Sequence, residues 1–263
     1  MRFSLLYEIA LPIELEEGGK TESDSFWEAV EQIRYAEEMG YAGVWLVEHH
    51  FLEDLSRSSA SEVFLSAIAQ HTSRIRIGLG VCLMPPPYNH PFKVAEKVAS
   101  LDIVSRGRVE WGCGRSTTAE ELDGFGIDTA HARQMMVEAM RVVPEMWRQR
   151  EFPGHKGEYM DLPPRVVVPK PIQKPHPPMW MACGSPTSYR LAGEMGIGCL
   201  SFTISTPKEL NESLDHYREG LKNAEPAGDF VNSNIAGFTT LYVGDDDAEA
   251  VGLAFVVPPE LQE

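Results

Sequence analysis

"IRIGLGVCL", residues Ile75–Leu83, is the stretch on which the fold turns. Its β-branched and apolar residues read as a buried strand, and Gly78 and Gly80 fall inside it. A dinucleotide-binding sheet needs its glycines at the turn from strand to helix, where backbone approaches a pyrophosphate. "GLG" is not so placed. The doubly wound sheet therefore lacks its diagnostic loop, and a (β/α)8 TIM barrel is the expected architecture.

The same alternation runs outward in both directions. Upstream, "RFSLLYE" (Arg2–Glu8) reads as a first strand and "AGVWLV" as a second. The helix between them is predicted from the capping pattern Ser25-x-x-Glu28, apolar Phe26, Val30, Ile33 and Ala36, and a stop at Gly40. Ser61–His71 is the next helix. Downstream, Val94, Val98 and Leu101 mark a third helix and "RVEWGCG" (Arg108–Gly114) a fourth strand. Met135, Ala139, Val142 and Met146 stripe a fourth helix containing Pro144. "MWMACG" (Met179–Gly184), Pro186–Met195 and "IGCLSF" supply strand, helix and strand. Thr206, Pro207 and Glu209 then open a helix striped by Leu210, Leu214, Tyr217 and Leu221. "IAGFTTLYV" (Ile235–Val243) is the seventh strand.

Residues 1–263 read as a single barrel domain with an inserted, extended, proline-rich segment at about 152–178. Seven βα units and a short tail predict a barrel incomplete at its C-terminus, with strand eight and helix eight largely missing. "GDDDAEA" would open a seventh helix, and only "VGLAFVVPPELQE" follows it.

Composition narrows the function classes. With 43% hydrophobic residues the chain can fill a substantial core. Its net charge of −16 repels phosphate backbones and anionic membranes, so neither nucleic acid nor membrane is an expected partner. Cys82, Cys113, Cys183 and Cys199 form no CxxC pair and sit in apolar strand-like runs, as reduced core thiols of a cytoplasmic protein would.

Barrel enzymes place their sites at the C-terminal ends of the strands. Here those ends collect Glu8, then Glu48, His49 and His50, then Asn89 and His90 of "MPPPYNHP". Arg115, Ser116 and Thr117 follow, with Ser185 and Ser188, and finally Ser201 and Phe202. Successive residues of a strand face opposite ways, so only one of His49 and His50 can enter the mouth. Zinc hydrolase barrels prefer an HxH spacing, which this is not, and no metal is expected. A proton-handling histidine and a purely structural pair both remain open. Arg115 follows Gly112, Cys113 and Gly114, while Ser185 and Ser188 start a helix whose positive end favours anions. An ordinary surface cation and a phosphate-binding group are the two readings of Arg115.

"GYAGVWLVEHHF", "MPPPYNHPFKVAEKVASLDIVSRGRVEWGCGR" and "MWMACGSPTSYRLAGEMG" resemble the luciferase-like flavin monooxygenase family, from Met1 to about Val243. EHHF and the LD-x-x-S-x-G-R stretch (Leu101–Arg108) are its more specific elements. The resemblance implies a (β/α)8 barrel that binds reduced FMN, or F420 in one branch. It implies that His49 handles a proton near the flavin as oxygen adds. It also implies that Arg115, Ser185 and Ser188 hold the phosphate, and that Glu48 and the Gly80–Val81 peptide lie along the isoalloxazine, that peptide tending to be cis. Glu8, His90 and Phe202 would line the substrate pocket. Gly114 stands where luciferase has a reactive cysteine, and Gly184 where it has an acid. Light emission from a long aldehyde is therefore not implied.

The activity implied is flavin-dependent monooxygenation with incorporation of molecular oxygen, on paired donors. Reduced FMN from a separate NAD(P)H-flavin reductase and O2 would act on a small organic substrate, an aldehyde or other hydrophobic compound, in a homodimer. F420-dependent hydride transfer is the first alternative, and a non-catalytic flavin-binding relative is the second. Which reduced flavin binds, and whether O2 is consumed, separates them.

Overall fold

The computed structural model describes residues 2–116, 118–201, 206–239 and 243–246. Its strands are β1 (Ser4–Tyr7), β2 (Gly43–Leu46), β3 (Arg76–Leu83), β4 (Val109–Gly114), β5 (His155–Lys156), β6 (Asp161–Leu162), β7 (Met179–Cys183), β8 (Gly198–Ser201) and β9 (Ile235–Gly237). Seven of them form one sheet in the order β1-β2-β3-β4-β7-β8-β9, each parallel to its neighbour. A doubly wound sheet would reverse direction part-way. This order never does. The fold is α/β, on a curled parallel sheet of seven strands.

The helices are α1 (Ile13–Glu17), α2 (Glu22–Glu38), α3 (Ser61–His71), α4 (Pro91–Val104), α5 (Ala119–Gly124), α6 (Ala132–Arg148), α7 (Pro186–Glu194) and α8 (Pro207–Leu221). The start of α2 differs from the sequence expectation. Thr21 and Asp24 form the reciprocal capping box, and Ser25 is buried within the helix. Two such patterns lie four residues apart, and the earlier one caps. The expected cap of α8 is observed, with Thr206 and Glu209 exchanging bonds.

Strand alternation sorts the core into two layers. Ile77 and Leu79 of β3, Val109, Trp111 and Cys113 of β4, and Met179, Met181 and Cys183 of β7 pack among the helices, where Trp111 meets Trp147 of α6 edge-on at 5.1 Å. The residues between them face inward. Trp45 and Trp180 meet edge-on there at 5.5 Å. A Cβ on Gly78 would lie 2.2 Å from the Trp45 ring. That contact, and not a phosphate, explains the glycine inside β3. All four cysteines are free and buried.

Arg108 closes the specific LD-x-x-S-x-G-R stretch for a structural reason. Its buried guanidinium donates to the carbonyls of Ala69, Thr72, Ile75 and Ser105 and to the Thr72 hydroxyl, tying the end of α3 to the start of β4. Asp102 of the same stretch is fully buried and holds Gln173 through its backbone N–H and its side-chain amide. Residues 152–178 contain no helix. The short pair β5–β6 interrupts them, Phe152 and Arg165 exchange backbone bonds, and Phe152, Leu162 and Val167 anchor the segment in the core. Residues 247–263, over which the seventh helix was expected to continue from "GDDDAEA", lie outside the described residues. Among the described residues β1 and β9 are the edges of the sheet.

Candidate active site

His49 lies three residues beyond the end of β2, on the inward parity of Trp45. Its Nδ1 is 3.0 Å from Oε1 of Glu121 in α5, so the carboxylate accepts and the proton sits on Nδ1. Its Nε2 is 3.9 Å from Oε2 of Glu8, at the end of β1. Burial opposes charge on His49, but the Glu121 bond and the charges of Glu8, Glu121 and Glu48 outweigh it, and the pKa rises. Glu8 is also raised. Burial is the largest cause there, opposed by His49 and Ser56.

Glu121 is the centre of this arrangement. It is fully buried, and besides His49 it accepts from the His50 backbone N–H at 2.9 Å, the Thr118 hydroxyl at 2.7 Å and the Ser116 hydroxyl. Burial would raise its pKa, yet these four bonds bring it down to about 2. Ser116 takes φ +68 to reach it. Thr118 caps α5 by accepting from the Glu121 N–H at 3.3 Å, so one turn both starts the helix and aims its acid.

His50 and Glu48 point the other way. The His50 ring packs edge-on against Phe125 at 4.8 Å and stacks near Tyr88 at 6.2 Å. Glu48 is 5% exposed, and its oxygens accept from the Leu83 N–H at 3.0 Å and the Asn89 amide at 2.8 Å. Burial is again outweighed, by His50, Lys97 and these two donors, and its pKa falls. Its carboxylate thus sits behind the wall of the mouth, fixing β3 and the loop after it.

The second half of the site is cationic. Arg115 follows β4, and burial together with the like charge of Arg133 lowers its pKa. Arg133, on α6, donates to the Thr187 hydroxyl of α7 at 3.3 Å. Neither arginine has a carboxylate partner among the described residues. Ser185 and Ser188 form the reciprocal capping box of α7, so both hydroxyls already serve that helix. The Gly80–Val81 peptide is cis, as the resemblance implied. A Cβ on Gly114 would lie 2.3 Å from Val81 Cγ2. The missing cysteine thus leaves room for the side chain that follows the cis peptide. Cys113 faces the helix layer, its pKa raised by burial.

His90 caps α4 through Nδ1, which accepts from the Phe92 N–H at 3.3 Å. Ser201 turns its hydroxyl to Tyr189 of α7, among the helices. Thr117 and Phe202 lie outside the described residues. Glu121 and Arg133 were not singled out in the sequence. Thr118-x-x-Glu121 carried the capping pattern that could have found the first; nothing distinguishes Arg133 from a surface arginine of an amphipathic helix. Among the described residues no cluster of His, Cys, Asp and Glu could hold a metal ion, and no helix is long and apolar enough to cross a membrane.

The described strand ends thus gather a histidine held by carboxylates and, through Ser116, the neighbouring Arg115 and then Arg133, neither with a carboxylate partner among the described residues. The chain belongs to the luciferase-like monooxygenase family, whose model matches residues 1–258. It is 31% identical over 195 residues to limonene 1,2-monooxygenase of Rhodococcus erythropolis, a match covering 72% of this chain and 48% of that protein. It is 26% identical over 255 residues to the oxygenase component of the flavin-dependent trigonelline monooxygenase of Acinetobacter baylyi, covering 95% and 67%. The chain thus spans about half to two thirds of the length of these relatives. Among solved structures, monooxygenase RslO1 from Streptomyces bottropensis superposes with a TM-score of 0.83 at 27% identity, over 96% of this chain and 75% of that one. The fold is shared, at 23% identity and a TM-score of 0.82, with the FMN-bound oxygenating constituent of 3,6-diketocamphane monooxygenase from Pseudomonas putida, over 97% and 71% of the two chains. It is shared, at 22% and 0.72, with the F420-dependent tetrahydromethanopterin reductase of Methanopyrus kandleri, over 95% and 69%.

Proposed function

We propose that the chain is the oxygenating part of a flavin-dependent monooxygenase that uses reduced FMN and O2 to oxygenate a small hydrophobic compound. The observation that carries this reading is the row Glu8–His49–Glu121, joined through Ser116 to the neighbouring Arg115 and so to Arg133. In this reading Arg115 and Arg133 hold the flavin phosphate at the start of α7, with the Ser185 and Ser188 turn ordering the backbone N–H groups there. The Gly80–Val81 peptide and, behind it, Glu48 would support the isoalloxazine. Glu8 and His90 belong to the substrate pocket.

Reduced flavin, when bound, supplies the chemistry with oxygen. The chain's own residues position and move a proton. His49 holds one on Nδ1 against Glu121 and exchanges one at Nε2, the nitrogen beside Glu8. The aromatic cluster of His50, Tyr88 and Phe125 packs on the other side of that segment. The architecture is a (β/α)8 barrel whose closing strand does not come from the described residues. A separate NAD(P)H-flavin reductase delivers the reduced FMN, consistent with a relative named as an oxygenase component. A cytoplasmic homodimer completes the reading.

The test supplies reduced FMN, 18O2 and a panel of small apolar ketones, alkenes and aldehydes, and follows products by mass spectrometry. Gain of one labelled oxygen by a panel member supports the proposal. Binding of reduced FMN without labelled product across the panel would favour a non-catalytic flavin-binding relative. F420 hydride transfer is the second reading, favoured only by the fold shared with the F420-dependent reductase.

A further inference from the structure

We propose that Glu8 is the proton-exchange partner of His49, passing protons between the Nε2 of the imidazole and a cavity beside β1. The hydrogen bonds leave one route. Nδ1 of His49 is committed to Glu121, so only Nε2 can gain or lose a proton while the ring keeps its place. The group beside Nε2 is Oε2 of Glu8, at 3.9 Å.

That oxygen is closed to solvent and has no hydrogen-bond partner among the described residues. A buried acceptor left in this state is costly, and an N–H on Nε2 would satisfy it. The remainder of the Glu8 side chain, 32% exposed, lines a cavity of about 390 Å³ with Tyr7, Lys20, Ser25, Glu28 and Gln32. Glu8 therefore faces the imidazole on one side and an opening on the other.

The surrounding charges leave Glu8 free for this task. Lys20 is engaged by Glu28 at 2.6 Å and the Tyr7 hydroxyl by Gln32 at 3.0 Å. Around His49 the acids are Glu8 at the end of β1, Glu121 on α5 and Glu48 beyond β2. Glu121, with four donors, stays ionised, and Glu48 is occupied by its own. Glu8 is the acid of this row that can carry a proton. In the step, Oε2 closes from 3.9 Å to hydrogen-bond distance of neutral Nε2 and the proton on Glu8 moves across, leaving a carboxylate beside an imidazolium. The reverse step returns it, and Glu8 is reloaded from the cavity.

The use of this exchange in oxygenation rests on the function proposed above; the exchange itself needs no flavin. The test is therefore made on the cofactor-free protein, by NMR titration of 15N-labelled histidine, with the His49 signals assigned by their loss in His49→Gln. Two groups sharing a proton titrate as a coupled pair, so wild-type His49 should shift in two steps. Glu8→Gln should collapse these to one step with a midpoint lower by about one pH unit, as loss of an adjacent charge predicts. Glu8→Asp, which keeps the acid, should restore two. A single step in the wild type, or a wild-type curve unchanged in Glu8→Gln, overturns the proposal. Should reduced FMN fail to bind while both steps are seen, the functional reading falls and the proton pair stands.

Discussion

Glu121→Gln removes a charge and almost no volume from the centre of the site. The glutamine oxygen can still accept from His49 and the His50 N–H, and its amide can face the Ser116 and Thr118 hydroxyls, which turn to accept. What is lost is the ionised form that all four donors favour. The folded-state pKa of Glu121 is about 2, against 4.5 unperturbed. At about 1.4 kcal/mol per unit, that depression is worth about 3 kcal/mol. A depressed acid contributes its full stability above its unfolded pKa and loses it as pH falls toward the folded value. Urea unfolding should therefore show Glu121→Gln less stable than wild type by about 3 kcal/mol at pH 7, the gap narrowing to about 1.4 kcal/mol at pH 3. The raised pKa of His49 reflects the same bond and is not counted again. A deficit that stays constant between pH 7 and pH 3 would show that shape and not charge is at stake, and would refute the reasoning.

His49→Ala should lower turnover by about 10²-fold or more with flavin binding little changed, as loss of acid–base catalysis predicts, whereas His50→Ala should act through stability of the aromatic cluster; steady-state kinetics and thermal melts separate the two. Arg115→Ala and Arg133→Ala should each weaken FMN about tenfold or more while leaving riboflavin, which lacks the phosphate, nearly unaffected, as measured by fluorescence titration. Gly78→Ala should cost about 1–3 kcal/mol by overpacking against Trp45, and Trp45→Leu in the same chain should recover most of it in denaturant unfolding. Independent, additive losses would remove Trp45 as the reason for that glycine.

Much of this was legible in the sequence because it is periodic. Strands β1 to β4 and β7 to β9, and helices such as α3 and α8, follow from apolar spacing and caps, and the opposite facing of His49 and His50 follows from strand alternation. The start of α2 was misplaced because two capping patterns compete within four residues and only tertiary contacts choose. Helix α5 was missed because six residues carry no apolar period, and with it went Glu121, the carboxylate that organises the site. Arg133 was invisible for a different reason. Its meaning lies in its nearness to Arg115 and Thr187, which are 18 and 54 residues away in the chain and are joined to it only by the curl of the sheet. The expectations for His90, Ser185 and Ser188 placed these residues at the mouth, but could not show that each already caps a helix.

Anaerobic titration of the purified chain with reduced FMN and, separately, reduced F420, followed by absorbance, tests the central claim most directly. Saturable binding of reduced FMN, weakened by Arg115→Ala, with no comparable binding of F420, is the result expected. Saturable binding of F420 alone, or of neither flavin, would contradict it.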